Sequence, residues 1–319
     1  MNIETAVLRD FAPDVQRMVR AIVDSRAFQR LKKISFLGAI DRFSRNELHS
    51  RTLSSGSRFD HSLGVAQMML AISRKMDLSP GELRLAIANA LLHDIGHGPY
   101  SHSCEPFFSE AFGIDHHKAL LLMIEDEGSE VSRILRSFGL WLDYRRFVRS
   151  PSSIPAVECL FYGPINIDTM EGIVRSARFF QIETPLDLSM LAQSIACARV
   201  PVRHLDQFWN LKSAVYNEHI FASRYALYDE ALTRSLNSMK DGMRVEHFYY
   251  DEDRFEGEFG GGLRLSFLDE ENRVTVRRAP RVRTFQINKS VAPRQFGALD
   301  GRYREVRLGE NRARHNRLK

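Results

Sequence analysis

The segment ALLHDIGHGPYSH, residues 90–102, places three histidines beside one aspartate, with Gly96 and Gly98 between them. Imidazole and carboxylate side chains packed this densely can bind a metal or relay protons. Histidine is also concentrated around this segment, since six of the 11 in the chain (His61, His93, His97, His102, His116 and His117) fall between residues 61 and 117. His93 and His97 are four apart and share a face if a helix runs that far. The two glycines favour a sharp exit and let other groups approach the backbone closely. Two imidazoles with two carboxylates suit a first-row divalent ion. An ion held that way lowers the pKa of bound water and neutralises phosphoryl oxygens.

Such groups need elements to position them. From Ala21 to about Leu232 the sequence reads as helices. AFQRLKKISFLGAI has Phe28, Leu31, Ile34 and Leu37 at helical spacing. Ser44–Ser57 is polar and reads as a loop, and FDHSLGVAQMMLAISRKM, with His61 near its start, reads as the next helix. Ser79-Pro80-Gly81-Glu82 is a capping box with proline at the first helical position. The helix it opens, ELRLAIANALLHD, leads into the histidine-rich segment. Ser150–Pro155 breaks the pattern, and HLDQFWNLKSAVYNEHIFASRYALYDEAL reads as one long helical stretch. After about Met239 the texture changes. Gly260–Gly262 form a turn, and LRLSFLD, RVTVRRA and VRTFQIN read as short strands. The expected division is a helical domain over 1–240 and a basic α+β or β-rich region over 241–319.

The whole chain sets the class. Its 319 residues, 44% hydrophobic and 27% charged, are those of a globular protein with a sizeable core. No apolar run approaches the length of a membrane span. Glu4, Asp10 and Asp14 do not make a secretory leader. Cys104, Cys159 and Cys197 are widely spaced with no CxxC, which fits a reducing cytoplasm. The net charge of +5 is uneven, for Arg273–Lys319 holds 14 basic residues against three acidic ones. That end of the chain could dock on a polyanion, including single-stranded nucleic acid, or on the acidic body of another subunit in a homo-oligomer. No GxxxxGK phosphate loop is present, so ATP-driven work is not suggested.

Taken in order, several blocks resemble the HD superfamily of metal-dependent phosphohydrolases, most closely its deoxynucleotide triphosphohydrolase branch. FQRLKKISFLG resembles the family's opening helix, and SRFDHSLGV the segment with the first metal-ligand histidine. LLHDIGHGPYSH is similar to the His-Asp signature and its continuation. IDHHKA resembles the catalytic-histidine segment, INIDTMEGIVRSA the segment with the last aspartate ligand, and HLDQFWNLKSAVYNEH the helix that follows. The resemblance implies an all-α HD core and a divalent metal ion (Mn, Mg, Fe, Ni or Zn) on His61, His93, Asp94 and Asp168. It implies phosphate contact by Arg58 and His97, proton transfer by His102 and His116 with Glu105 in support, and a substrate contact from Arg175. Glu105 stands where the family has aspartate.

The departures are local. Phe36 replaces a sugar-contacting glutamine, Gly172 a tyrosine, Ser176 the aspartate of an Arg-Asp pair, and Thr169 a lysine, while His117 stands where glutamate is frequent. The implied activity is metal-dependent hydrolysis of a nucleotide-like phosphoester with an altered sugar-reading shell. The alternatives are a nuclease or phosphodiesterase, and a nucleotide-sensing protein with little turnover.

Overall fold

The computed structural model describes residues 11–48, 55–162, 165–184, 186, 191, 202–220, 223–260, 283–287 and 303–307. They are mainly helical, as expected. The body opens with α1 (Pro13–Val23), α2 (Arg26–Arg30) and α3 (Ala39–Leu48). The central pair, α4 (Arg58–Ser73) and α5 (Pro80–Leu92), follows. Then come α6 (Glu105–Phe112), α7 (His116–Glu125), α8 (Glu130–Ser137), α9 (Trp141–Arg149), α10 (Pro155–Phe161) and α11 (Ile167–Phe179). Beyond these lie α12 (Val202–Ala214), α13 (Ser223–Ser238) and α14 (Glu252–Phe259). Among the described residues no helix is long and apolar enough to cross a membrane.

Local chemistry sets the ends of the helices that matter. Ser57 caps α4 and Asp60 returns the bond, so Arg58 stands at the first position and His61 one turn later. The Ser79–Glu82 capping box opens α5 as the sequence indicates. Asn166 caps α11 by accepting from the Thr169 N–H at 2.7 Å, which puts Asp168 in the first turn. Asp115 caps α7 immediately before His116.

Three expectations about elements change. The helix expected over residues 27–40 stops at Arg30 and tightens to a 3₁₀ turn over Leu31–Lys33. From Ile34 the chain is extended, because its backbone bonds elsewhere: Arg58 N–H donates to Ile34 O at 2.9 Å and Phe36 N–H to Gly56 O at 3.1 Å. Helix α3 runs to Leu48, into the stretch expected to be a loop, while 49–54 lie outside the described residues. The helical stretch expected from His204 onward is helical in its described residues, but α12 widens into a π-turn over Val215–Ile220, and α13 follows from Ser223.

Two cores result. The larger gathers Met18, Phe28, Met69, Leu91, Phe147 and Trp209, and the smaller Phe43, Tyr100, Phe108, Tyr228, Phe248 and Phe255, all buried. Removing from water a side chain of this size contributes about 1.5–3 kcal/mol. The loop after α5 joins them, with Ile95 in the larger core and Tyr100 in the smaller. Its histidines therefore lie at the seam. Residues 245–259 pack on the same body: Arg30 donates to Tyr250 O at 3.2 Å, and a Cβ on Gly98 would stand 2.8 Å from Phe248 O.

Farther along, Arg283–Ile287 and Tyr303–Arg307 pair as antiparallel strands, from Arg283 opposite Arg307 to Ile287 opposite Tyr303. VRTFQIN overlaps the first of these. LRLSFLD and RVTVRRA lie outside the described residues, as does most of the basic stretch.

Candidate functional site

Helix α5 ends at Leu92, with His93 as its C-cap, so His93 and His97 do not share a helix face. The chain turns there, and the two imidazoles enter different clusters with Asp94 between them. Gly96 lets the start of α7 pack against the turn, for a Cβ on it would stand 2.1 Å from His116 O.

The first cluster gathers one residue from α4, two from the end of α5 and one from α11. His61 Nε2 lies 3.0 Å from Asp168 Oδ1, 3.3 Å from His93 Nε2 and 3.5 Å from Asp94 Oδ2. His93 Nε2 lies 3.6 Å from Asp94 Oδ1 and 3.7 Å from Asp168 Oδ1. Donors about 2.1 Å from a common ion and at right angles are about 3.0 Å apart. His61, His93 and Asp94 lie close enough to share one ion, with Asp168 beside the two imidazoles, and nitrogen and carboxylate donors of this kind suit a first-row divalent metal.

Neighbouring groups turn the imidazoles toward that point. His61 Nδ1 meets Glu171 Oε2 at 2.5 Å and His93 Nδ1 meets Ala90 O at 3.1 Å, so in both rings Nε2 faces the other ligands. Asp94 is held by Arg58, whose Nη1 donates to Oδ2 at 2.7 Å. Burial opposes the charge on Asp94, but His93, Arg58 and His97 outweigh it and hold the carboxyl well below its usual range. Burial likewise opposes protonation of His61, yet Glu171, Asp168 and Asp94 push it up to about 9. Three carboxylates stand around this ring with two guanidiniums, and the His61, His93 and Asp94 group could hold a metal ion.

The second cluster surrounds Glu105 at the start of α6. Its Oε1 meets His116 Nδ1 at 2.5 Å and its Oε2 meets His102 Nδ1 at 2.9 Å. His97, fully buried, stacks on His116 with ring centroids 4.2 Å apart. Its nitrogens come within 3.4 Å of Glu105 Oε1 and 3.3 Å of Asp94 Oδ1, but off line, so neither makes a hydrogen bond. Burial and the nearby charges of Arg58 and His116 hold His97 well below the ordinary histidine pKa. Burial works against ionisation of Glu105, but the bonds from His102 and His116 hold it far below the usual carboxylate range. His102 alone of the three imidazoles faces solvent, with its side chain 62% exposed. The donor atoms of this cluster lie within 4.8 Å of one another, as do those of His61, His93 and Asp94.

Two expected substrate contacts are committed within the protein. Arg58 is buried and also donates from Nε to Ser101 Oγ at 2.9 Å and from Nη2 to Phe36 O at 3.2 Å. Arg175 donates to Glu171 from Nη2 at 2.6 Å and to Ser55 O from Nη1 at 3.1 Å. The departures also form a set. The Phe36 ring lies 4.8 Å from the His61 ring, and a Cβ on Gly172 would stand 3.3 Å from it. Ser176 turns its hydroxyl back to Gly172 O at 2.8 Å.

Glu171 and Ser101 are the residues that sequence reasoning passes over. Glu171 had a signal, being three residues beyond Asp168 on one helix face. Ser101 had none, since its role depends on a bond to Arg58, 43 residues away.

Residues 58–142 match the family model described as the HD domain. It is similar to the uncharacterized protein YwfO of Bacillus subtilis, 30% identical over 170 residues, 51% of this chain and 36% of that protein. A deoxynucleoside triphosphate triphosphohydrolase of Gallus gallus, SAMHD1, is 27% identical over 143 residues, 41% of this chain and 22% of its own length. A deoxyguanosinetriphosphate triphosphohydrolase-like protein of Bartonella quintana is 34% identical over 113 residues, 34% of this chain and 25% of its own. The chain spans well under half the length of each of these relatives.

Proposed function

From a chain whose HD domain brings two histidine clusters together at Asp94, we propose a metal-dependent phosphohydrolase acting on a nucleotide-like phosphoester. The carrying observation is the convergence of His61, His93 and Asp94, with Asp168 3.0 Å from His61 and Asp94 also 3.3 Å from the second cluster through His97. The names of the chicken and Bartonella relatives supply the nucleotide class.

His61, His93, Asp94 and Asp168 would hold the ion. A divalent ion supplies Lewis acidity toward phosphoryl oxygens and a lower pKa for water. The remaining work falls to side chains. Arg58 keeps Asp94 ionised and oriented; three of its five N–H donors are engaged, which leaves donors for a phosphate oxygen. Glu105 holds Nδ1 of both His102 and His116, so each ring presents Nε2 to a proton transfer. His102, open to solvent, would protonate the leaving oxygen, with His116 in support. Phe36 beside Gly172 presents an apolar face near the site, where a polar group would be needed to read a hydroxyl, so selectivity for deoxyribose is expected to be weak.

The division of the chain stays part of this proposal, with residues 245–259 assigned to the catalytic body because they pack on it. Oligomer formation and nucleic-acid binding through Arg273–Lys319 also belong to it. The test is metal analysis of the purified protein with a hydrolysis screen of nucleoside triphosphates, cyclic nucleotides and single-stranded nucleic acid, using Asp94→Ala as control. Metal-dependent release of phosphate, diphosphate or triphosphate that Asp94→Ala abolishes supports it. Equal activity in Asp94→Ala overturns it, and cleavage of nucleic acid alone replaces it with a nuclease.

A further inference from the structure

The chain adopts an unusual backbone immediately before His102. Tyr100 and Ser101 both have positive φ, 58° and 51°, though neither is glycine. Two successive side-chain-bearing residues in the left-handed region persist only where the surroundings hold them. Tyr100 is fully buried, and its carbonyl lies where a Cβ on Gly38 would stand 2.2 Å away, so Gly38 has to be glycine for the turn to fit.

What holds the turn is remote in sequence. Glu252, at the first position of α14, accepts three bonds on one carboxylate oxygen: Ser35 N–H at 2.7 Å, Ser35 O–H at 2.5 Å and Tyr100 N–H at 3.2 Å. One turn on, Glu256 accepts from Tyr100 O–H at 2.8 Å. Ser35 and Tyr100 flank Ser101 on its two sides. The Ser101 hydroxyl donates its one proton to Ser35 O at 2.6 Å, which leaves its oxygen to accept from Arg58 Nε at 2.9 Å. Arg58 in turn donates to Asp94.

We propose that Glu252 is a positioning residue for the HD site: from α14 it fixes Ser35 and the Tyr100–Ser101 turn, and through Ser101 and Arg58 it sets the orientation of the Asp94 carboxylate. This rests on the metal-site reading above for its consequence, but the mechanical link stands apart from it. Neither an alanine nor a leucine at 252 could accept the three bonds. A glutamine could, because the amide oxygen retains the acceptor.

The experiment uses the full chain and two readouts. Hydrogen–deuterium exchange over residues 98–104 reads the link directly, and Mn²⁺ titration followed by the free-ion paramagnetic signal reads its consequence. Glu252→Ala is expected to speed exchange in that segment at least tenfold, with α5 unchanged, and to weaken Mn²⁺ binding at least tenfold with helix content intact. Glu252→Gln should restore both to within threefold. Ser101→Ala should reproduce the Mn²⁺ loss, and adding it to Glu252→Ala should cost little more, because both act on one path. Unchanged exchange in Glu252→Ala overturns the link. Faster exchange with unaltered Mn²⁺ affinity overturns the positioning role. A wild-type chain that binds no Mn²⁺ counts against the metal reading, and the exchange data still decide whether Glu252 holds the turn. If Glu252→Ala does not fold, Glu252→Leu, which keeps apolar volume but removes the acceptor, carries the same comparison with Glu252→Gln.

Discussion

Two histidine clusters lie side by side at the seam between the cores, and they differ in one respect that sets their chemistry. Around His61 and His93, carboxylates match or outnumber imidazoles: Asp94, Asp168 and Glu171 all face the His61 ring. Around Glu105 one carboxylate serves three imidazoles, and one of those is in solvent. In the first arrangement the carboxylates favour positive charge, carried by the His61 ring or by a cation in place of its proton. The second has its carboxylate already committed to nitrogen-bound protons and opens to water at His102, which suits proton transfer. The same residue types, in a different ratio and exposure, give a metal site and an acid–base site. Asp94 is the residue that touches both.

The comparison breaks most completely at Asp94. Asp94→Ala should release the metal and abolish turnover while the helical content by circular dichroism is kept; an active, metal-loaded variant would mean that the clusters work without their shared residue. Next in size is Glu105→Gln. It should retain the metal, one ion per chain by elemental analysis, yet lower turnover about 10²–10⁴-fold. Loss of the ion in that variant, or two ions in the wild type, would show that the second cluster binds metal as well.

Glu171→Gln sharpens the contrast from the other side. Removing the charge that orients His61 should weaken metal affinity about 10–100-fold. At saturating metal most of the turnover should return, which calorimetric titration and kinetics can separate. Arg58→Lys should be milder than removing Asp94, because the charge stays while the bonds to Ser101 and Phe36 O are lost. About a tenfold fall in catalytic efficiency is expected, and an unchanged value would make those two bonds irrelevant.

The smallest effect is a pH dependence at Glu252. Burial, its largest influence, raises this carboxyl above the ordinary value of 4.5, and the bonds from Ser35 and Tyr100 offset it only in part. The folded state therefore keeps a proton that the unfolded state loses. The stability this contributes is full below the unfolded pKa and is lost as pH rises through the folded one. Glu252→Gln removes the loss, so its Tm relative to the wild type should rise from acidic to neutral pH. A difference independent of pH would show that Glu252 is not buried against its charge.

Much of this was legible from sequence. The capping box at Ser79, the helical spacing of apolar residues and the histidine density depend on neighbours within a few positions, and the structure places helices accordingly at α4 and α5. The resemblance also selected Asp168, 74 positions from Asp94, which local patterns could not have done. Misreadings came where a distant partner took over the backbone. Ile34 stands at helical spacing, but its carbonyl accepts from the start of α4 and the nearby Phe36 N–H donates to Gly56.

The sequence by itself determined the residue types that can bind a cation or carry a proton, and the helix ends that present them, because capping and periodicity act through local hydrogen bonds and side-chain spacing. Only the tertiary structure decided which histidine joins which cluster, for a turn at Gly96 sends His93 and His97 to opposite sides of Asp94. Only it decided that Arg58 spends its guanidinium on Asp94, that Glu171 backs His61, and that Glu252 reaches the Tyr100–Ser101 turn. Those contacts join groups up to 152 residues apart, and they form because two cores pack against one loop.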